Sequence, residues 1–237
     1  MLIRITNKCT MGCSHCMVDA TPEGEHMAFS TFLQCLTFAC KIGSQMVFLT
    51  GGEPTLHPEL VGMLGLIRDK GLQPLLTSNG LFLSEMTVKE RDDILGGVDS
   101  VQVTNDPRYY PRRVERPAHP KVYYEDTLRM MSPFGRAVTN GLECTRLAPM
   151  CFNLRSAVRQ IGGLSESLLF LRGHGKFCTP AINVDGTIVA GEAPSCHPIG
   201  TVWDELETIA ANIRTMTCAK CGLVDNLTPE QRGAIGE

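Results

Sequence analysis

Cys9-Thr10-Met11-Gly12-Cys13-Ser14-His15-Cys16 follows a strand-like run, Leu2-Ile3-Arg4-Ile5-Thr6, almost at once. Its three cysteines stand at C-x3-C-x2-C spacing. Thiolates are the usual protein ligands of iron–sulfur clusters, and a four-iron cubane normally takes four of them. Three in one tight loop leave one iron without a local protein ligand, open to an exogenous chelator. A zinc knuckle is the alternative, because zinc takes four Cys and His ligands. His15 would then be the fourth ligand, strained by its place between two of the cysteines.

A second segment lies one strand and one helix further on: Val47-Phe48-Leu49-Thr50-Gly51-Gly52-Glu53-Pro54-Thr55. An apolar run ends in two glycines, an acid and a proline. Glycines let a backbone pass close to a ligand without side-chain collision. A carboxylate at the end of a buried strand can accept hydrogen bonds from an ammonium group. An ordinary strand-to-loop turn is the other reading.

Taken together and in this order, the two segments resemble the radical S-adenosylmethionine (radical SAM) superfamily. The resemblance implies a [4Fe–4S] cluster on Cys9, Cys13 and Cys16, with SAM's amine and carboxylate on the open iron. It assigns Gly51, Gly52, Glu53 and Pro54 to SAM's amino group, with Glu53 as acceptor. It also marks small polar groups after later strands as SAM contacts: Ser78 and Asn79, then Thr104 and Asp106. For Ser78-Asn79-Gly80 a plain turn is the alternative. Gly135-Arg136-Ala137 is similar to a segment of family members that carry a C-terminal cluster extension. Arg136 would there reach SAM's carboxylate, or else simply face solvent.

Periodicity gives the frame. Strands are expected at 2–6, 46–50, 72–77, 100–104 and 121–125. Ser30 is an expected helix N-cap, ahead of Phe32, Leu33, Leu36 and Cys40 at helical spacing, with Gly43 as C-cap. Cys35 and Cys40 read as small buried hydrophobes. Pro58 is expected to open a second helix, with Leu60, Val61, Leu64 and Ile67 on one side and Gly71 closing it. Residues 87–96 suggest a charged surface helix. Alternating strands and helices argue for parallel βα units, whose ligand sites lie at the carboxyl ends of the strands. The fold class expected is α/β. The resemblance implies a partial (β/α)6-type barrel, trimmed here, because a full eight-unit barrel takes about 250 residues.

The expected organisation is 1–140 as the barrel, 141–177 as a connection and 178–237 as a cluster-binding module. Cys178 to Val189 reads as a β-hairpin with an Asp185-Gly186 turn. Cys196 follows, then a helix-like run from Trp203 to Ile213, then Cys218-Ala219-Lys220-Cys221. This resembles the SPASM and "twitch" extensions that bind auxiliary [4Fe–4S] clusters. It departs from their pattern at Gly191, where a cysteine is usual. The implied ligands are Cys178, Cys196, Cys218 and Cys221, with structural zinc as the rival on four thiolates. Cys144 and Cys151 are buried thiols, a replacement ligand, or a hydrogen donor to a substrate radical.

A net charge of −3 over 237 residues gives no sign of affinity for nucleic acid through bulk electrostatics, and no nucleic-acid partner is expected. No apolar run reaches a membrane span, and Met1-Leu2-Ile3-Arg4 lacks the start of a signal peptide. Eleven cysteines without an export signal read as metal chemistry in a reducing cytoplasm, not as disulfides. The resemblance implies that one electron splits SAM into methionine and a 5′-deoxyadenosyl radical, which takes hydrogen from a substrate carbon. The electron would come from a flavodoxin- or ferredoxin-type reductant. An auxiliary cluster would make the outcome an oxidative modification, with a peptide or protein the expected substrate. A dehydrogenase or epimerase of a carbohydrate, aminocyclitol or other small molecule is the alternative. A non-catalytic iron–sulfur or zinc-binding protein is the alternative of another class.

Overall fold

The computed structural model describes residues 1–128, 131, 134–143, 163–173, 179–194 and 196–215. The first half runs β1 (Leu2–Thr6), α1 (Phe29–Lys41), β2 (Met46–Gly51), α2 (Leu60–Asp69), β3 (Gln73–Ser78), α3 (Phe82–Glu85), α4 (Val88–Gly97), β4 (Ser100–Thr104) and β5 (Val122–Glu125). After it come α5 (Arg136–Thr139), α6 (Leu164–Leu171), β6 (Ala181–Ile182), β7 (Thr187–Val189), β8 (Pro198–Thr201) and α7 (Leu206–Thr215). One sheet holds all of these strands, in the order β5-β4-β3-β2-β1-β6-β7-β8. β1 to β5 are mutually parallel in sequence order, the pattern of successive βα units. This is the α/β arrangement expected from periodicity, and it agrees with the partial barrel that the resemblance implies. The hairpin is a difference. Its first strand, β6, pairs parallel with β1, so the late hairpin extends the same sheet at its β1 edge. Periodicity cannot reveal a pairing between residues 179 positions apart.

The helices form where apolar residues recur at three and four. Phe32, Cys35, Leu36 and Ala39 of α1 are buried, as are Leu60, Met63, Leu64 and Ile67 of α2. Gly43 and Gly71 have φ of +69° and +72° and stop α1 and α2, as expected. Other expectations fail locally. The N-cap of α1 is Ala28, without a side-chain cap, and Ser30 lies inside the first turn. The buried Met27 donates its backbone N–H to Ile5 of β1, which starts the helix earlier. Cys40 is exposed, because it lies round the helix from the Phe32–Cys35–Leu36–Ala39 stripe. Val61 is exposed for the same reason on α2. Pro58 sits in the turn before α2, where the His57 carbonyl accepts the Leu60 N–H. The charged helix α4 starts with a full capping box between Thr87 and Glu90.

The sheet has two unlike faces. Ile3, Ile5, Val47, Leu49, Leu76, Val101 and Val103 join one apolar core with the helices. Period-two alternation sends their neighbours Arg4, Thr6, Thr50, Thr77, Gln102 and Thr104 to the other face. A parallel sheet normally buries apolar residues on both faces. Leu2, Phe48 and Leu75 share this second face at the strands' amino-terminal half, so it is polar only toward the carboxyl ends, where a ligand site would lie.

Candidate active site at the carboxyl ends of the strands

Parallel strands bring the segments after β1, β2, β3 and β4 to one end of the sheet. The cluster loop follows β1. Cys9 and Cys13 are buried and Cys16 half-buried, and none of the three is disulfide-bonded. They pack with Met11, Ala20 and Leu81, against Tyr110 and Val114. The loop backbone is held from several sides. Cys9 N–H donates to Thr21 O at 2.8 Å, and Ser14 N–H to Tyr109 O at 3.0 Å. Arg136 donates from Nε to Cys13 O at 2.8 Å and from Nη1 to Ala20 O at 3.0 Å. Its own N–H reaches Cys16 O at 3.0 Å, and Asn140 Nδ2 reaches Ser14 O at 2.8 Å. Gly135 has φ +56° and lies so near that a Cβ would stand 2.4 Å from Cys16 O. The structure therefore places Arg136 on the carbonyls of the cysteine loop, an arrangement that sequence reasoning missed. Gly-Arg-Ala ahead of a short helix was the available signal.

The two glycines serve the same loop. Gly52 N–H donates to Thr6 O at 2.7 Å and Glu53 N–H to Lys8 O at 2.8 Å, continuing the β1–β2 ladder past the strands. A Cβ on Gly52 would stand 2.3 Å from Lys8 O, and one on Gly51 2.1 Å from Thr6 O. The close neighbour of the glycines is thus the chain's own backbone leading into Cys9. Pro54 starts a 3-10 turn, Pro54–Leu56.

Glu53 is buried, with 2% of its surface exposed. Its Oε1 accepts from Thr55 Oγ at 2.7 Å, Thr55 N at 3.2 Å and Ser78 Oγ at 2.9 Å. Its Oε2 accepts from Asn79 N at 2.8 Å. Burial pushes the carboxyl pKa up, and these four donors oppose that shift. The carboxylate ties the segment after β2 to the segment after β3. Asn79 also offers Nδ2 to Cys9 Sγ at 3.9 Å, and its Oδ1 accepts the Leu81 N–H.

After β4, Thr104 Oγ1 pairs with Tyr110 Oη at 2.8 Å. Asp106, buried, accepts from Arg108 Nε at 3.0 Å, Arg108 Nη2 at 2.6 Å and Leu128 N at 2.8 Å. The Arg108 guanidinium holds its carboxyl well below the usual carboxylate range. Asp106 thereby folds the segment that carries Tyr109 and Tyr110. Those two rings flank His15, at centroid distances of 5.3 and 5.1 Å.

The donor set fits an iron–sulfur cubane. Burial pushes the Cys13 thiol up to about 12 and raises Cys9 as well. Such thiols become ligands only beside a strong cationic centre. Among the described residues no three His, Cys, Asp or Glu side chains stand close enough to hold one metal ion. Cys178, Cys218, Cys221, Cys144 and Cys151 lie outside the described residues. Cys196, half-buried, is described beside the hairpin.

The comparisons agree with this geometry. A "S-adenosylmethionine-dependent nucleotide dehydratase" of Thermoplasmatales archaeon (strain ISO4-H5) is 36% identical over 83 residues, 35% of this chain and 30% of that protein. A "GTP 3',8-cyclase" of Geobacter sulfurreducens is 31% identical over 110 residues, 44% of this chain and 33% of that one. The matched stretch thus spans about a third of these relatives. Among solved structures, BtrN in complex with AdoMet and 2-DOIA matches with a TM-score of 0.54 at 14% identity, over 94% of this chain and 84% of that one. Streptococcus suis SuiB bound to precursor peptide SuiA matches with 0.56 at 13% identity, over 94% and 69%. These two likenesses are of fold. The Radical SAM superfamily model matches residues 3–142, more than half of the 237, and with the cysteine loop and Gly-Gly-Glu-Pro inside that span the chain belongs to the Radical SAM superfamily.

Proposed function

We propose that this chain is an enzyme that cleaves SAM reductively and takes hydrogen from a substrate held over the carboxyl ends of β1 to β4. Membership of the family implies a [4Fe–4S] cluster and SAM. When bound, they supply a one-electron cleavage that yields a 5′-deoxyadenosyl radical. Cys9, Cys13 and Cys16 would hold the cluster. The chain's own work is positional. Arg136, Gly135 and Asn140 fix the cysteine loop, and Gly51-Gly52 lock it to β2. Glu53, Ser78 and Asn79 form a polar wall beside Cys9 that suits SAM's amino group. Thr104 and Asp106 shape the opposite wall through Tyr110 and Arg108. Leu81, Tyr110 and Val114 keep water from the thiols.

A second cluster on Cys178, Cys196, Cys218 and Cys221 would take an electron from the substrate radical and make the modification oxidative. A flavodoxin- or ferredoxin-type protein would supply the first electron. A peptide or protein is the substrate class we favour. A small molecule is the second reading, favoured by the polar sheet face with its buried arginine. No helix among the described residues is long and apolar enough to cross a membrane.

The observation that carries the proposal is the packing of three unpaired thiols at the strand ends, clamped by Arg136 and Gly52. The test is anaerobic reconstitution with iron and sulfide, then dithionite and SAM. Release of 5′-deoxyadenosine is expected, abolished by Ala at Cys9, Cys13 or Cys16. Iron near eight per chain should fall by about half when Cys218 and Cys221 are both changed to Ala. A triple-cysteine variant that still cleaves SAM refutes the first site. A double variant that keeps all its iron refutes the second.

A further inference from the structure

Arg4 heads the fully buried large side chains, with 2% of its surface exposed. Burial lowers its pKa to about 10, opposed by Cys196 and Glu192, so the guanidinium stays charged at neutral pH. A buried charge is costly unless paired and hydrogen-bonded. Nη1 donates to Asn183 Oδ1 at 2.8 Å, while Nη2, equally buried, has no acceptor among the described residues. Asn183 is neutral, so this bond aims the guanidinium, and the charges of Glu192 and Cys196 act on it from nearby without accepting a hydrogen bond from Nη2. The aim follows from topology. β1 pairs with β6 through Leu2↔Ala181 and Ile3↔Ile182, and one more step sets Arg4 beside Asn183. On its other side the partner is Thr50 of β2. Arg4 therefore projects from the polar face, away from the core that takes Ile3 and Ile5. A methionine would fill this volume with no orphaned donor. A guanidinium with one free edge suits a ligand that brings its own charged oxygens.

We propose that Arg4 anchors an oxyanion of the substrate, a carboxylate or a phosphate, on the polar face of the sheet. The inference rests on reading that face as the substrate side. Asn183 is the positioning residue, so the hairpin after residue 180 helps to build the substrate site.

The experiment is thermal unfolding of the full, cluster-loaded chain at constant ionic strength, with chloride exchanged for inorganic phosphate or for formate. Wild type, Arg4→Lys and Arg4→Met are compared. At least one anion is expected to raise the wild-type melting temperature by several degrees. Arg4→Lys should keep part of that rise and Arg4→Met should lose it. A response to phosphate alone identifies a phosphate ligand, and to formate alone a carboxylate. Two results overturn the proposal: no response in wild type, or an undiminished response in Arg4→Met. If Arg4→Met also loses iron while its anion response stays intact, the guanidinium belongs to the group that Cys196 would hold. None of these readings uses SAM cleavage, so their failure is separate from failure of the cofactor chemistry.

Discussion

Replacing Glu53 by Gln tests whether the buried carboxylate is a clamp of the fold or an acceptor held ready for SAM. Four protein donors already converge on it, three on Oε1 and one on Oε2. Two are hydroxyls, which rotate and accept as readily as they donate. The other two are the backbone N–H groups of Thr55 and Asn79, which only donate. They sit on different oxygens. A glutamine has one carbonyl, so either flip of its amide leaves one of these N–H groups facing an NH2. Each orphaned buried donor costs about 1–3 kcal/mol. With an m value of about 2–3 kcal/mol/M, the urea midpoint should fall by roughly 0.3–1.5 M. The assay is urea unfolding of the chelator-stripped full chain, wild type against Glu53→Gln, with SAM affinity of the loaded protein measured alongside. An unchanged midpoint refutes the clamp. If SAM affinity then falls while the midpoint holds, the carboxylate serves the amine alone.

Two other positions give sharp outcomes. Gly135→Ala forces a side chain into φ +56°, with its Cβ 2.4 Å from Cys16 O, and should cost about 1–3 kcal/mol. It should also retain less iron after reconstitution, and wild-type stability and iron content would contradict the clamp on the cysteine loop. Asp106 is held below its unfolded pKa by Arg108, so its contribution is full above the unfolded value and is lost progressively as pH falls from there toward its lower folded pKa. The stability gap between wild type and Asp106→Asn should therefore be widest near neutrality and begin to narrow below about pH 4. A gap constant from pH 7 to pH 3 would show that the carboxylate charge contributes nothing.

What was legible in the sequence was what a few neighbouring residues decide. Phe32, Cys35, Leu36 and Ala39 predict a core-facing helix because the helical period alone puts them together. Gly43 and Gly71 predict helix ends because a positive φ is cheap only for glycine. The strand ends Thr6, Gly51, Ser78 and Thr104 predict one site because parallel strands end together. What stayed illegible depends on distant partners. Ser30 reads as a cap until Met27 is found tied to Ile5. Cys40 reads as core until the helix is seen to turn it outward. The pairing of β6 with β1, and the meeting of Arg4 with Asn183, leave no trace in local periodicity.

The roles of Glu53, Asp106 and Arg136 share one physical lesson. Sequence likeness marks charged residues near a cofactor, and the first assumption is that each touches it. Here each spends two hydrogen bonds of its side chain on backbone groups: Thr55 and Asn79 for Glu53, Arg108 and Leu128 for Asp106, Cys13 and Ala20 for Arg136. A loop of three thiols has no regular ladder of its own, so its carbonyls and N–H groups need partners from outside. A charged side chain supplies stronger hydrogen bonds than a neutral one. Arg136 thus holds the cysteine loop itself, while Glu53 ties down the segment after β3 and Asp106 the segment after β4 that lies beside it. Contact with SAM at Glu53 would add to that work and draw on the same rigidity, because an acceptor fixed by four donors arrives at the ligand already oriented.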